Sequence, residues 1–255
     1  MRVRWRSGAL AAVAAVLSLG LAGCGGGAVG DGGSAQTTVS SVAKERKEPP
    51  RLSVRDGDTG VEPLKGAKVA SASKLEEVTL TNEQGRAVDA EYNPEKTGWE
   101  TTEPLGYGRT YTLEAKNADG TSSTATFTTL SPAEQTNVAI GPYDGATVGV
   151  AQAVTFRFGS AITDTKAAED AITVETSNGT EGGFFWQSPY ELIWRPKEFW
   201  EPGTDVTVHA DIYGKDLGGG VWGAADAETS FTIGDKVEAV VDNRDKTLRV
   251  YRDGE

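Results

Sequence analysis

The chain has 255 residues, a formal net charge of −12, one cysteine and one histidine. A surface this acidic repels phosphate backbones, and no basic stripe interleaved with aromatic residues offsets it, so nucleic acid is excluded as a partner. One cysteine cannot form an intramolecular disulfide, and one histidine with scattered acids gives no metal-ligand spacing and indicates no cofactor.

Residues 1–23 have the pattern of an export signal. Three arginines precede the apolar stretch Ala9–Leu21, which is too short to span a bilayer as a stable helix. The following Leu21-Ala22-Gly23-Cys24 resembles the lipobox of bacterial lipoproteins, where the signal is cleaved before a cysteine that takes a diacylglycerol. We predict lipid attachment at Cys24 and a location in the cell envelope, on the extracytoplasmic face of the cell membrane. The alternative is a plain secretory signal with an incidental cysteine.

Residues 24–50 are rich in glycine, then in serine and threonine, and have almost nothing to bury. Such a composition predicts a lipidated flexible linker. As a random coil of about 25 residues it reaches roughly 25–30 Å. We expect it to hold the folded domains away from the membrane.

Residues 51–131 alternate between apolar and polar side chains in short runs separated by turn signals such as Asn82-Glu83-Gln84-Gly85. Regular short strands with turns roughly every ten residues predict an immunoglobulin-like sandwich, Ig-like domain 1. Trp99 is its expected core anchor.

Residues 132–234 predict a second all-β module, Ig-like domain 2. Val148–Phe158 and Thr204–Ile212 alternate in the β manner, and between them Asp164 is placed to cap a short helix. The fold class is therefore all-β: two tandem immunoglobulin-like β-sandwiches after a signal peptide and tether.

An aromatic stretch organises the second domain. Buried rings are the common case, so we favour core or domain interface over a carbohydrate platform. The rings are Trp186, Trp194, Phe199, Trp200, Tyr213 and Trp222. We predict Trp186 and Trp194 in the core, and the pair Phe199–Trp200 and the Tyr213–Trp222 loop toward the C-terminal junction.

Residues 235–255 predict a β-hairpin, with Val237, Ala239 and Val241 on one face of its first strand. An isolated hairpin is marginal in water and needs further strands to cover its apolar face. Asp253-Gly254 begins another turn. The sequence is typical of the truncated start of a further domain.

Several ordered motifs resemble the N-terminal portion of actinobacterial lipoprotein L,D-transpeptidases, which form 3→3 cross-links in peptidoglycan. They include Gly183-Phe184-Phe185-Trp186, Trp194-Arg195-Pro196, Phe199-Trp200-Glu201-Pro202-Gly203-Thr204, Tyr213-Gly214-Lys215-Asp216-Leu217-Gly218 and, in the first domain, Thr102-Glu103-Pro104-Leu105-Gly106-Tyr107-Gly108. The closing Leu248-Arg249-Val250-Tyr251-Arg252-Asp253-Gly254 looks like the opening hairpin of the YkuD catalytic domain.

The resemblance implies acyl transfer from tetrapeptide stems through a cysteine in a Ser-His-Gly-Cys motif. That motif is absent from residues 1–255, and Cys24 is at the wrong end of the chain. His209 lies on the polar face of a predicted strand, where an exposed histidine needs no catalytic explanation. No catalytic residue is assigned, and the chain alone is expected to be inactive.

Two hypotheses remain. The first is the membrane-anchored spacer of an L,D-transpeptidase, a monomer that meets peptidoglycan stem peptides through a catalytic domain absent from these residues. The second is a non-catalytic Ig-like lipoprotein that binds cell-wall polymer or a protein partner. The orphan hairpin favours the first.

Overall fold

A computed structural model describes residues 47–255, and nearly all of its regular structure is β-strand. The all-β prediction is therefore confirmed. The predicted signal at 1–23, Cys24 and all but the last four residues of the predicted linker lie outside the described residues. No helix among residues 47–255 is long and apolar enough to cross a membrane.

The first sandwich packs the sheet β1-β2-β5-β4 against the sheet β3-β6-β7. Its strands are β1 (Arg51–Leu52), β2 (Lys68–Ala70), β3 (Leu75–Asn82), β4 (Ala90–Tyr92), β5 (Gly98–Thr101), β6 (Thr110–Asn117) and β7 (Ser122–Thr128). Alternate residues of both sheets meet in one core, where Val69 and Trp99 of the first sheet join Leu113 and Phe127 of the second.

The second sandwich packs the sheet β10-β17-β15-β12 against the sheet β13-β14-β11-β9. A short parallel pair, β8 with β16, lies beside them. Its strands are β8 (Glu134–Thr136), β9 (Val138–Gly141), β10 (Ala146–Val148), β11 (Val154–Phe158), β12 (Ile172–Thr176), β13 (Gly182–Ser188), β14 (Glu191–Pro196), β15 (Asp205–Ala210), β16 (Val221–Gly223) and β17 (Ala227–Ile233).

A short helix, α1 (Thr165–Asp170), precedes β12. The Asp164 side chain accepts a hydrogen bond from the backbone N–H of Ala167 at 3.0 Å, so the predicted N-cap is confirmed. The predicted alternation of Thr204–Ile212 is also confirmed, because Val206, Val208 and Ala210 of β15 are all buried.

The chain enters and leaves the first sandwich at opposite ends of β6. At the Asn117 end, the Asn117 side chain donates to the carbonyl oxygen of Glu48 at 3.2 Å, and Ser123 donates to that of Pro50 at 2.6 Å. At the Thr110 end, the Thr129 N–H donates to the Arg109 carbonyl oxygen at 2.9 Å as the chain leaves the domain. An eight-residue strand separates the two ends by about 24 Å.

The chain also enters and leaves the second sandwich at opposite ends. Strand β17 begins at Ala227, beside the loops that face the first domain, and ends at Ile233, about 20 Å away by strand length. There the chain passes into a hairpin of β18 (Val237–Asp242) and β19 (Thr247–Arg252), with which no other strand among residues 47–255 pairs.

Candidate functional site

Three of the predicted tryptophans of the second domain, Trp186, Trp194 and Trp200, pack in or against its core. Trp200 is 2% exposed, its ring centroid is 5.4 Å from that of Trp194, and its indole N–H donates to the Gln152 carbonyl oxygen at 2.6 Å. Trp186 is half-buried and stacks on Phe158 at 5.8 Å. In the first domain, Trp99 is buried among the core residues.

Phe199 and Trp200 are neighbours with opposite environments. Both lie at the end of the second sandwich that leads to the hairpin, since the Trp200 N–H bonds the Val150 carbonyl oxygen there. Trp200 points into the core and is not an interface residue, whereas Phe199 is 69% exposed and is not part of the core. The two side chains therefore leave the chain on opposite sides, one toward the core and the other toward water.

The Tyr213–Trp222 loop does not lie toward the C-terminal junction, and this part of the sequence-based prediction is wrong. Strand β15 ends at Ala210, at the end of the second sandwich nearest the first, so the loop after it projects to the junction between the two sandwiches. There the Tyr213 ring lies 5.1 Å from that of Tyr107, and Trp222 meets Tyr107 edge-on at 6.5 Å.

The two tyrosines bond reciprocally across this junction. The Tyr107 hydroxyl, from the first domain, donates to the Gly223 carbonyl oxygen at 2.8 Å and accepts the Gly214 N–H at 3.0 Å. The Tyr213 hydroxyl, from the second domain, donates to the Leu105 carbonyl oxygen at 2.7 Å. We call Tyr107, Tyr213 and the backbone groups they bind the tyrosine junction.

Burial raises the pKa of both hydroxyls above the ordinary tyrosine value, and the carboxylate of Asp226 adds to the rise. At Tyr107 the Gly214 N–H acts in the opposite direction, because it stabilises the phenolate. Both side chains are therefore protonated at neutral pH and can donate. Asp226 also accepts the Tyr213 backbone N–H at 2.8 Å, which fixes the loop that carries the ring.

Two glycines allow the backbones to approach this closely. A Cβ at Gly223 would overlap the carbonyl group of Ile212. Gly214 has φ of +70°, which disfavours other residues, and a Cβ there would press on the Leu64 side chain of the first domain.

The interdomain connection is itself part of the junction. Strand β8 comes after residues 131–133 and pairs in parallel with β16, placing Glu134 opposite Val221 and Thr136 opposite Gly223. The Ala224 N–H then donates to the Thr136 carbonyl oxygen at 2.8 Å. The segment between the domains is thus tied to the loop that carries Tyr213 and Trp222.

Sequence reasoning missed Tyr107, although it lies in one of the motifs that carried the resemblance. The sequence feature that could have identified it is Gly106-Tyr107-Gly108, in which glycines flank an aromatic residue in a turn before a strand. Small neighbours leave a ring free to reach another domain, but nothing local says which domain it reaches.

The described residues do not assemble a cysteine nucleophile. Residues 47–255 contain His209 and no cysteine. His209 lies on β15 with its Nδ1 3.5 Å from a carboxylate oxygen of Glu228 on the neighbouring strand β17, a cross-strand pair on the outside of the sheet.

Comparisons with known proteins point to one group. A model of bacterial Ig domains matches residues 58–216. L,D-transpeptidase 2 of Mycobacterium tuberculosis (strain CDC 1551 / Oshkosh) is 44% identical over 208 residues, which cover 80% of this chain and 51% of that protein. L,D-transpeptidase 5 of M. tuberculosis (strain ATCC 25618 / H37Rv) is 36% identical over 208 residues, covering 77% and 46%.

Among solved structures, an L,D-transpeptidase from Mycobacterium smegmatis is 32% identical over 47% of this chain and 49% of that chain, with a TM-score of 0.35. The chain spans about half the length of the curated relatives it matches.

Proposed function

The chain belongs to the bacterial Ig domain family and its homologues are L,D-transpeptidases, and we propose that it is the membrane-anchored spacer portion of such an enzyme. The enzyme would form 3→3 cross-links in peptidoglycan by acyl transfer from tetrapeptide stems. In this proposal the nucleophilic cysteine belongs to a catalytic domain that begins with the hairpin of β18 and β19.

The observation that carries the proposal is the serial arrangement of the described chain. Residues 48–50 are bonded at one end of the first sandwich, the tyrosine junction lies at its other end, and the hairpin leaves the far end of the second sandwich. Each domain thus adds its own length between the linker and the hairpin. A binding module needs no such arrangement, whereas a spacer does.

The hairpin supports the same function. Its exposed side chains include Val237, Val240, Val241, Leu248 and Val250. A two-stranded ribbon with uncovered apolar residues is marginal by itself, and further strands packed on it would remove that surface from water. This chain spans about half the length of the curated relatives it matches, which leaves room in those proteins for a domain that does this.

The anchor in this proposal is a diacylglycerol on Cys24. Burial of acyl methylenes contributes about 0.8 kcal/mol each, so two acyl chains hold a protein that one chain would bind only reversibly. With the linker of residues 24–50, the first sandwich would stand roughly 25–30 Å from the membrane surface.

The test is the mass and terminal sequence of the native protein, purified from the cell envelope. We expect a lipid-modified Cys24 at the N-terminus and a product that continues past Glu255 into a Ser-His-Gly-Cys motif. The Cys24→Ser variant should move from the membrane fraction to the soluble fraction. A native product that ends at Glu255 would overturn the transpeptidase proposal, and an unmodified, soluble wild type would overturn the anchor.

A further inference from the structure

The tyrosine junction holds two phenol rings of different domains against each other. The ring centroids of Tyr107 and Tyr213 are 5.1 Å apart, and the ring planes meet at 54°. Tilted rings at this separation are in van der Waals contact. All seven tyrosines of the chain lie within residues 47–255, and no other two tyrosine rings pack together in that range. Among the tyrosines, this pair alone brings two phenols into contact.

Both rings are fixed in this arrangement by backbone groups of the opposite domain. The Tyr107 hydroxyl donates to the Gly223 carbonyl oxygen at 2.8 Å, and the Tyr213 hydroxyl donates to the Leu105 carbonyl oxygen at 2.7 Å. Neither ring can turn away from the other without losing such a bond. Both side chains are half-buried and keep part of their surface in water. A small reagent can therefore reach a pair of rings that is already positioned.

The composition of the folded domains directs oxidation to their aromatic rings. Cysteine and methionine are the side chains that peroxides usually oxidise in proteins. Residues 47–255 contain neither of them, because the one cysteine is Cys24 and the one methionine is Met1. Trp222 also lies beside the pair, edge-on to Tyr107 at 6.5 Å. An electron lost from its indole can be replaced from the neighbouring phenol.

We propose that Tyr107 and Tyr213 are a site of oxidative coupling, in which a carbon–carbon bond between the two rings joins the domains covalently. The oxidant is hydrogen peroxide, acting through a catalyst that removes one electron at a time. Each phenol loses one electron and its hydroxyl proton, and the two tyrosyl radicals combine at the carbons ortho to their oxygens. The hydrogen on each of these carbons then moves to the phenolic oxygen and restores the hydroxyl. The two electrons and two protons given up reduce one hydrogen peroxide to two molecules of water.

The coupled product retains the junction as the structure shows it. Both hydroxyls are regenerated, so each can still donate to its carbonyl oxygen in the other domain. The new bond links two residues that are far apart in the sequence, and it prevents the two domains from separating at this contact. Coupling goes beyond the spacer function and does not depend on it, because both tyrosines belong to the described domains.

The experiment treats the purified chain with hydrogen peroxide and a haem peroxidase, at a protein concentration low enough to suppress contacts between molecules. Trypsin then releases residues 97–109 and 198–215, which carry Tyr107 and Tyr213 as their only tyrosines. We expect mass spectrometry to find these peptides joined, with a mass two hydrogen atoms below their sum. The joined pair should be about tenfold more abundant than after oxidation in urea, because the native junction holds the rings in contact.

Substitutions test whether the two phenols are required. Tyr107→Phe and Tyr213→Phe should each abolish the joined peptides, because phenylalanine has no hydroxyl to oxidise. Tyr143→Phe and Tyr190→Phe alter rings that are 77% and 51% exposed, and they should leave the yield unchanged. The coupled chain should also unfold at a higher urea concentration than the untreated chain, as expected for a bond that closes a long loop.

The comparison of native and urea-treated wild type needs no substitution, so it decides the matter even if a junction variant misfolds. Equal yields in the two states, or coupling confined to exposed tyrosines, would overturn the proposal. Oxidation of tryptophan without any coupling would do the same. So would a yield that rises with protein concentration, since it would join tyrosines of different molecules. Each of these results would leave the test of the spacer function, at Cys24 and beyond Glu255, unaffected.

Discussion

Tyr107 and Tyr213 each donate a hydroxyl hydrogen bond to a backbone carbonyl group of the other domain, at 2.8 and 2.7 Å. The two bonds run in opposite directions across one small contact, and the rings between them lie 5.1 Å apart. A rotation of one domain against the other therefore strains both bonds together. This reciprocity couples the two sandwiches, as the proposed spacer function requires.

Tyr107→Phe should weaken the tyrosine junction, because it removes the hydroxyl group and keeps the aromatic ring. The variant keeps the ring but removes the donor to the Gly223 carbonyl oxygen and the acceptor of the Gly214 N–H, and leaves these two groups only their own long bond of 3.4 Å. We expect the free energy of unfolding to fall by about 0.5–1.5 kcal/mol, the net contribution of a typical hydrogen bond. Urea titration gives that loss, and residual dipolar couplings should show a wider spread of interdomain orientations. Tyr143→Phe, at an exposed ring, is the control; equal results for the two variants would contradict the prediction.

Alkaline pH should weaken the same junction. The folded-state pKa of Tyr107 and of Tyr213 is raised by burial, so the native state holds these protons more tightly than the unfolded state. Their contribution to stability is complete below the unfolded value of about 10 and is lost as pH rises through the folded values. Stability curves of the wild type and of Tyr107→Phe should therefore converge above about pH 10. Curves that stay parallel through that range would show that Tyr107 titrates equally in both states.

Gly223→Ala and Gly149→Ala should differ sharply. A Cβ at buried position 223 would overlap the Ile212 carbonyl group, whereas a Cβ at exposed position 149 would meet nothing within 4 Å. We expect a loss of about 1–3 kcal/mol or more for the first, and a change below about 0.5 kcal/mol for the second. Thermal or urea unfolding measures both. A Gly223→Ala variant as stable as Gly149→Ala would mean that the loop carrying Trp222 relaxes freely.

Trp200→Ala and Phe199→Ala compare adjacent rings in opposite environments. Removal of the Trp200 ring leaves a cavity beside Trp194 and Phe231 and should cost about 3–5 kcal/mol. Phe199→Ala should cost less than about 0.5 kcal/mol in this chain, because its ring is largely in water. Urea denaturation of the two variants checks the contrast. A large loss for Phe199→Ala would show that its ring is covered in solution.

Sequence reasoning reached the parts of the fold that local periodicity determines. The alternation of Val206, Val208 and Ala210 and the cap at Asp164 are decided within a few residues, so both could be predicted. The alternation of side chains along a strand also explains why Phe185 faces out between Phe184 and Trp186. Periodicity assigns a side chain to a face of its strand.

Local periodicity does not indicate which end of a sandwich a loop occupies. Sequence reasoning places the Tyr213–Trp222 loop at the wrong end because the loop's position depends on β16 pairing with β8, a strand far earlier in the chain, in the register of Val221 with Glu134. Such long-range pairing leaves no local pattern, and the partner ring Tyr107 belongs to another domain altogether. The junction could therefore be found only from the assembled structure.

The pairing of β8 with β16 also decides how the connection behaves under mechanical load. In the proposed spacer, fixed to a membrane at one end and engaged with the wall at the other, the connection is under tension whenever the two move apart. Residues 131–133 span at most about 10 Å at full extension, so β8 must peel from β16 before the sandwiches can move further apart than that. We therefore expect the interdomain connection to keep its length up to a threshold force and to extend in one step above that force.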